Sequence, residues 1–314
     1  MDTNLRPLTH DEIYADAKKH KDNKGEPGLY VGFECLKDLY SHKKAGVTDW
    51  TGFPASGKSY LCLEVLFNLS ERYGQRNGLY VPDVGSDKEV IAKLVKMYTG
   101  KDYTDRYQNQ ITDKELANAI TWIMHHFVLF SKKDFKQGVT PIDFWELIAT
   151  YKDGGGRLNN GFMDSWKNMK HLYSGRDDLY LDEILSIRNE IAESGNVHFH
   201  TIAHAVKTEL NEQKGKRRIP NAWDIKGGGS WFANGKSIIT VDYPDKSQTG
   251  CDVYISKVKP EDVGRIGEVV GSLRLDVKRG RYYETEHLDV LGLKYFAFDM
   301  QKRVSLVQSQ EIQF

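Results

Sequence analysis

The chain has 314 residues, 39% of them hydrophobic and 28% charged, which suits a globular protein with a sizeable core. Its 44 Lys and Arg balance 44 Asp and Glu, so no global basic field draws a polyanion, and any nucleic-acid contact must rest on particular loops. The three cysteines, Cys35, Cys62 and Cys251, form no C-x-x-C pair, the first 30 residues are too charged for a signal peptide, and no apolar run reaches the roughly 18 residues of a membrane span; the expectation is a cytoplasmic protein with no membrane partner.

Thr9 and Glu12 have capping-box spacing, so Asp11 to His20 is expected as a short polar helix, followed by a charged linker that ends at Gly28. This 1–28 arm is too polar for core and reads either as a frayed terminus or as a strap onto a neighbouring subunit. From Tyr30 onward apolar strands alternate with helices, the pattern of an α/β fold with a mostly parallel sheet flanked by helices. Val47 to Thr51 is a strand leading into a Gly-rich loop. Ser59 to Tyr73 is a helix with Leu61, Val65, Leu66 and Leu69 at helical spacing. Gly78 to Val84 is the next strand and Lys88 to Tyr98 the next helix. His126 to Phe130 (strand) and Ile142 to Tyr151 (helix) follow, then a loop at Gly154 to Gly156 and a short strand from Gly161 to Asp164. Leu181 to Glu193 carries an apolar stripe of Leu181, Ile184, Leu185, Ile187 and Ile191. Val197 to Ala203, Ser237 to Val241, Asp252 to Lys257 and Ser272 to Val277 complete the expected sheet, the last antiparallel.

The strongest signal is Gly52-Phe53-Pro54-Ala55-Ser56-Gly57-Lys58-Ser59, which reads G-x-x-x-x-G-K-S between an expected strand and an expected helix. Glycines let such a loop wrap phosphates with its N–H groups pointing inward, and the helix that follows at Tyr60 adds its positive end. Lys58 is expected to reach the β- and γ-phosphates of ATP, and the Ser59 hydroxyl to hold Mg²⁺. Two acids suit the rest of the chemistry. Asp164 closes an apolar strand and is expected to order the metal's shell, although a strand-end turn also explains it. Asp83 ends the strand after the first helix, which a RecA-type arrangement is expected to set beside the loop's strand; there it is placed to activate water. His204 follows an apolar strand, and a lone histidine there is more often structural.

These segments, taken in order, resemble the RecA-like motor domain of DnaB-type ring helicases, especially the Twinkle and phage primase-helicase branch. The resemblance runs from Leu29 to Glu284, leaves 285–314 as a tail without assigned role, and begins at Gly32-Phe33 with Leu36 and Leu39. It implies that Asp83 stands where the family carries a catalytic glutamate, and that His204 senses the γ-phosphate. Trp223 to Ala233, with Gly227, Gly228 and Gly229, is similar to the family segment that lines a central channel and touches single-stranded DNA. Lys207, Lys216 and Arg217 are then expected to track the DNA backbone. Lys257 and Lys259 resemble a lysine-x-arginine pair that reaches the neighbouring subunit's γ-phosphate. Lysine at 259 lacks the planar fork of arginine, and Arg265 stands near enough in sequence to replace it.

The implied protein is an ATP-driven helicase or translocase that assembles as a hexameric ring on single-stranded DNA in replication, with a separate primase or loader. A second reading is a RecA-type ATPase without unwinding activity, a DNA-binding switch or phage packaging protein. A metabolic P-loop kinase is a third, disfavoured because no arginine-rich lid is present.

Overall fold

The computed structural model describes residues 6–22, 28–104, 109–131, 138–172, 176–206, 219–243, 250–259 and 267–284; Lys207, Lys216, Arg217, Arg265 and the 285–314 tail lie outside the described residues. Helix α1 (His10–Asp22) starts where the capping pattern places it, with the Thr9 amide and hydroxyl both donating to Glu12, and none of its residues is buried. The body then alternates as expected, with β1 (Gly46–Thr51), α2 (Lys58–Tyr73), β2 (Asn77–Tyr80) and α3 (Asp87–Thr99). Helix α4 (Asp113–His126) was not anticipated, although Thr112 and Glu115 close a full capping box at its start. Next come β3 (Phe127–Leu129), α5 (Pro141–Thr150) and a small hairpin of β4 (Lys152–Asp153) and β5 (Gly156–Arg157), where the sequence suggested only a loop. Strand β6 (Asn160–Met163), α6 (Asp177–Gly195), β7 (His198–Ile202), α7 (Gly228–Asn234), β8 (Ser237–Asp242), β9 (Gly250–Val258), β10 (Gly267–Asp276) and β11 (Arg281–Glu284) follow.

Among the described residues, nine strands form one sheet in the order β11-β10-β9-β8-β1-β7-β6-β2-β3. From β3 to β8 the pairings are parallel, and β8 through β11 pair antiparallel. The antiparallel portion is therefore larger than the single strand expected. One expectation is overturned: β2 does not lie beside β1, because β6 and β7 stand between them. Buried amides fix β2 against β6 instead, the Asn160 Nδ2 donating to Asn77 Oδ1 and Gln75 Oε1, each at 2.8 Å.

Side chains alternate across the sheet as period two requires. Leu79, Phe162 and Ile202 face a core shared with α2, α3 and α4, whereas Tyr80, Met163 and Phe199 face one shared with α5, α6 and α7. On α6 the stripe holds at Leu181, Ile184 and Leu185, but its centre is a charge. Arg188 is fully buried, lies 5.9 and 5.7 Å from the Trp145 and Trp231 rings, and forks onto both carboxylate oxygens of Asp49 at 2.5 and 3.0 Å. That pair pins α6 to the strand that feeds the glycine loop.

Candidate nucleotide site at the carboxyl ends of the strands

Parallel pairing brings the carboxyl ends of β1, β7, β6 and β2 to one edge, where open α/β sheets place ligands. Tyr80 pairs with Met163, Met163 with Thr201, and Trp50 with Ile202. The residues next along each chain are Asp83, Asp164, His204 and the 52–59 loop, which therefore converge although up to 152 positions separate them in sequence.

The loop's backbone needs its glycines. Gly52 has φ +138°, and a Cβ there would run into the Val241 carbonyl oxygen; Gly57 has φ +86° and caps α2. Ala55 holds φ +63° at the loop's exposed apex, a strained value for a residue with a side chain. The Lys58 ammonium is almost fully buried and donates to the Gly52 carbonyl at 3.1 Å, the Phe53 carbonyl at 2.6 Å and the Ser56 hydroxyl at 3.3 Å. Burial lowers its pKa to about 8, opposed by the nearby carboxylates of Asp164, Asp242 and Asp83.

Asp164 is completely buried, and neither of its oxygens closes a hydrogen bond among the described residues. Burial pushes its carboxyl up to about 6, opposed by the Ser59 hydroxyl beside it and by Lys58, while Asp83 reinforces the rise. Two unsatisfied carboxylate oxygens next to a serine hydroxyl and a phosphate-type loop fit a hard divalent cation such as Mg²⁺.

Asp83 lies in the turn after β2, its amide bonded to the Asp164 carbonyl at 3.2 Å. Burial alone would raise its pKa, but hydrogen bonds from Ser165 and Asn168 and the charge of Lys167 outweigh it and hold the carboxyl below its usual range. Ser165 Oγ donates to Asp83 Oδ2 at 2.6 Å, Asn168 Nδ2 donates to Oδ1, and Lys167 Nζ lies 3.3 Å from Oδ2. Asp83 is therefore a fixed, ionised acceptor at neutral pH. His204 Nε2 lies 3.5 Å from Asp83 Oδ2, and neither ring nitrogen makes a hydrogen bond among the described residues. Burial and the charges of Lys58 and Lys167 lower its pKa, so the ring is neutral with an N–H to offer. Asp83, Asp164 and His204 each present a ligand atom within 4.8 Å of the other two.

Sequence reasoning missed several partners. Ser165 and Lys167 follow Asp164 within three positions, and the polar run they share with Asn168 was the available signal. The hydroxyls of Tyr282 and Tyr243 stand 2.8 and 3.3 Å from where a Cβ on Gly57 would lie, and nothing local in the sequence marks them. They arrive from β11 and from the residue after β8.

The remaining candidates are not at this cluster. Lys257 on β9 pairs with Ile238, near the start of β8, whereas the loop adjoins the far end of β8. Its ammonium is buried on the carbonyls that end α7, donating to Phe232 and, at 3.4 Å, to Ala233. Lys259 is exposed, and its amide bonds the Lys236 carbonyl at 2.8 Å. Gly227, Gly228 and Gly229 start α7; Gly227 has φ +75°, and a Cβ on Gly228 would collide with the Trp223 backbone. This segment is stitched to the chain just after His204 by the Ala205–Ile225 bridge and by the Val206 amide on the Asp224 carbonyl at 2.6 Å.

A second cluster, His42, His198 and His200, is wholly buried beneath β1 and β7. Both nitrogens of His198 are engaged, by the Lys43 carbonyl at 2.6 Å and the Thr48 hydroxyl at 2.8 Å. His200 Nδ1 accepts from the Trp50 indole at 3.1 Å, which puts the ring proton on Nε2. Only His42 retains a free lone pair, so the trio is a stack of neutral rings and not a metal centre.

No protein-family model matches this sequence, and no curated protein matches it. Among solved structures, the chain is similar to a separately solved ATPase domain at 17% identity and a TM-score of 0.69, covering 88% of this chain and 99% of that one. It is also similar to a DnaB-like replicative helicase whose interactions with primase were described, at 16% identity and a TM-score of 0.65, covering 90% of this chain and 68% of that one. The chain thus has the α/β RecA-like fold of DnaB-type motor domains. Among the described residues, no helix is long and apolar enough to cross a membrane.

Proposed function

We propose that this chain is an ATP-hydrolysing motor that assembles as a ring and moves along single-stranded DNA, as a DnaB-type helicase. The observation that carries this reading is the convergence of Lys58 and Ser59 with Asp164, Asp83 and His204 at one sheet edge, in a fold shared with a DnaB-like helicase. The loop amides and the α2 N-terminus bind the triphosphate, and Lys58 leaves its carbonyl partners for the β- and γ-oxygens. Ser59 and Asp164 would hold Mg²⁺, which when bound neutralises charge on the β- and γ-phosphates. Asp83, fixed on Ser165 and Asn168, accepts a hydrogen bond from the attacking water and orients it toward the γ-phosphorus. His204 donates to a γ-oxygen, and loss of that contact is relayed along Ala205 and Val206 to the Trp223–Gly229 segment.

Lys257 and Lys259 complete the reading in trans, at the γ-phosphate of the next subunit. Their separation from the loop within one chain supports this, since a charge acting in the same chain would have to sit beside Lys58. A separate primase or loader and a role in replication belong to the same proposal.

The experiment that tests the helicase reading is displacement of a labelled strand from a forked duplex with ATP and Mg²⁺. Unwinding is expected, and it is absent in Lys58→Ala. Hydrolysis stimulated by single-stranded DNA with no unwinding would favour the RecA-type switch or packaging reading.

A further inference from the structure

The short turn Trp166–Asn168 begins two residues past Asp164, and its backbone is fixed. The Asn168 amide donates to the Ser165 carbonyl at 3.0 Å and the Met169 amide to the Trp166 carbonyl at 3.2 Å. The Trp166 ring packs against Trp145 and Trp231, with centroids 6.2 and 5.2 Å away, and its carbonyl accepts from His171 Nε2 at 2.9 Å. From this base Lys167 extends a side chain that is 62% exposed, yet its ammonium returns to the site, 3.3 Å from Asp83 Oδ2. The same charge reaches the other members of the cluster. It adds to the lowering of the Lys58 and His204 pKa values and opposes the rise at Asp164. A long aliphatic stem on a rigid turn lets the ammonium shift without disturbing the fold.

The charges around it say where it goes. At neutral pH Lys58 and Lys167 balance Asp83 and Asp164, but a triphosphate brings more negative charge than one Mg²⁺ cancels. The excess is sharpest between Asp83 and the γ-phosphate, because a carboxylate that orients the attacking water lies only one water away from the group attacked. Two anions so close, in a half-buried site, repel unless a cation lies between them. We propose that Lys167 is a catalytic residue of the same chain, its ammonium bridging Asp83 and the γ-phosphate when ATP is bound. The Lys167–Asp83 pair supplies one end of the bridge and a γ-oxygen the other, and the contact stabilises charge on that oxygen as the phosphoryl group is transferred to water. ADP offers the ammonium no γ-oxygen, so Lys167 distinguishes the two nucleotides. A clamp that only held Asp83 in place would not. The inference rests on the ATPase reading above and adds to it a cation supplied within one chain, beside those proposed to act from the next subunit.

The test compares the affinities of a non-hydrolysable ATP analogue and of ADP, each with Mg²⁺, for the full chain by calorimetry, with ATP turnover measured alongside. Lys167→Met keeps the stem and removes the charge. It should weaken the ATP analogue about tenfold while leaving ADP binding unchanged, and should lower kcat about 10²-fold. Lys167→Arg should retain most of both. The two variants should melt like the wild type, because the side chain is largely in solvent. An ATP-to-ADP affinity ratio that Lys167→Met leaves unchanged, whether both nucleotides bind as before or both weaken equally, would overturn the bridge while sparing the ATPase, and so would an unaltered kcat. Wild-type protein that binds neither nucleotide would overturn the ATPase reading as well.

Discussion

Lys58 in this structure spends its three donors on Gly52, Phe53 and Ser56 of its own loop, so phosphate oxygens must displace groups of similar geometry. Removing the ammonium leaves the developing charge on the β- and γ-oxygens uncompensated. We expect Lys58→Ala to lower ATP turnover by at least about 10²–10³-fold in a phosphate-release assay. Asp83 makes a sharper case. Its carboxylate is already ionised and anchored at both oxygens with acceptor capacity left, so its proposed value lies in orientation. Asp83→Asn preserves the bond from Ser165 but turns one acceptor into a donor, and it should cut kcat about 10²-fold or more while leaving nucleotide affinity unchanged. Unaltered turnover in that variant would move the water-orienting role elsewhere. The loop, Asp164 and Asp83 were legible because each sits where an apolar strand stops. Tyr243 and Tyr282 were not: Tyr282 reaches Gly57 from the antiparallel extension of the sheet and Tyr243 from just past β8, whose place beside β1 no local pattern contains.

Among the elements, the polar surprises lie inside. Periodicity found α2, α5 and α6 because apolar residues recur every three or four positions, but the stripe it gave α6 did not include the buried Arg188. The charge is tolerated because Asp49 on β1 takes its fork. Helix α4 was overlooked although Thr112 and Glu115 mark its start, and β11 was too short to show a period. The place of β2 was misjudged because strand order depends on pairings such as Asn77 with Asn160, which no local pattern contains. Buried histidines give this layer a measurable signature. Burial holds His42 and His200 well below the ordinary histidine value and His198 at about 4. Below pH ~6.5 the unfolded chain binds protons that these rings refuse, so stability falls as pH drops from about 6.5 toward 4, by up to about 1.4 kcal/mol per unit for each ring. Buried Asp164, raised to about 6, works in the opposite direction over part of this range. Urea midpoints measured from pH 7 to 4.5 should therefore fall less steeply in His42→Phe than in the wild type. Parallel slopes would show that the trio does not govern the acid response.

At the scale of the whole molecule, the fold puts the phosphate loop at one edge of the sheet and Lys257 toward the other end of β8 and β9. On the proposed reading, a chain so arranged would carry two halves of different sites, complete only where copies meet. Mixing Lys58→Ala with Lys259→Ala protein should therefore restore part of the hydrolysis that each variant lacks alone, because some interfaces pair an intact loop with an intact Lys259. Activity that stays at the level of the separate variants would place the missing cation within one chain. Lys257 is held on the α7 carbonyls, so Lys257→Ala is also expected to melt earlier than Lys259→Ala.

If the chain is the proposed motor, ATP hydrolysis at this site answers to single-stranded DNA. Steady-state ATP turnover by the wild-type chain, with Lys58→Ala as the blank, measures it directly across a titration of oligothymidylate. Turnover is predicted to rise severalfold and to saturate with DNA; turnover that ignores DNA, or phosphate delivered to a small acceptor in place of water, would contradict it.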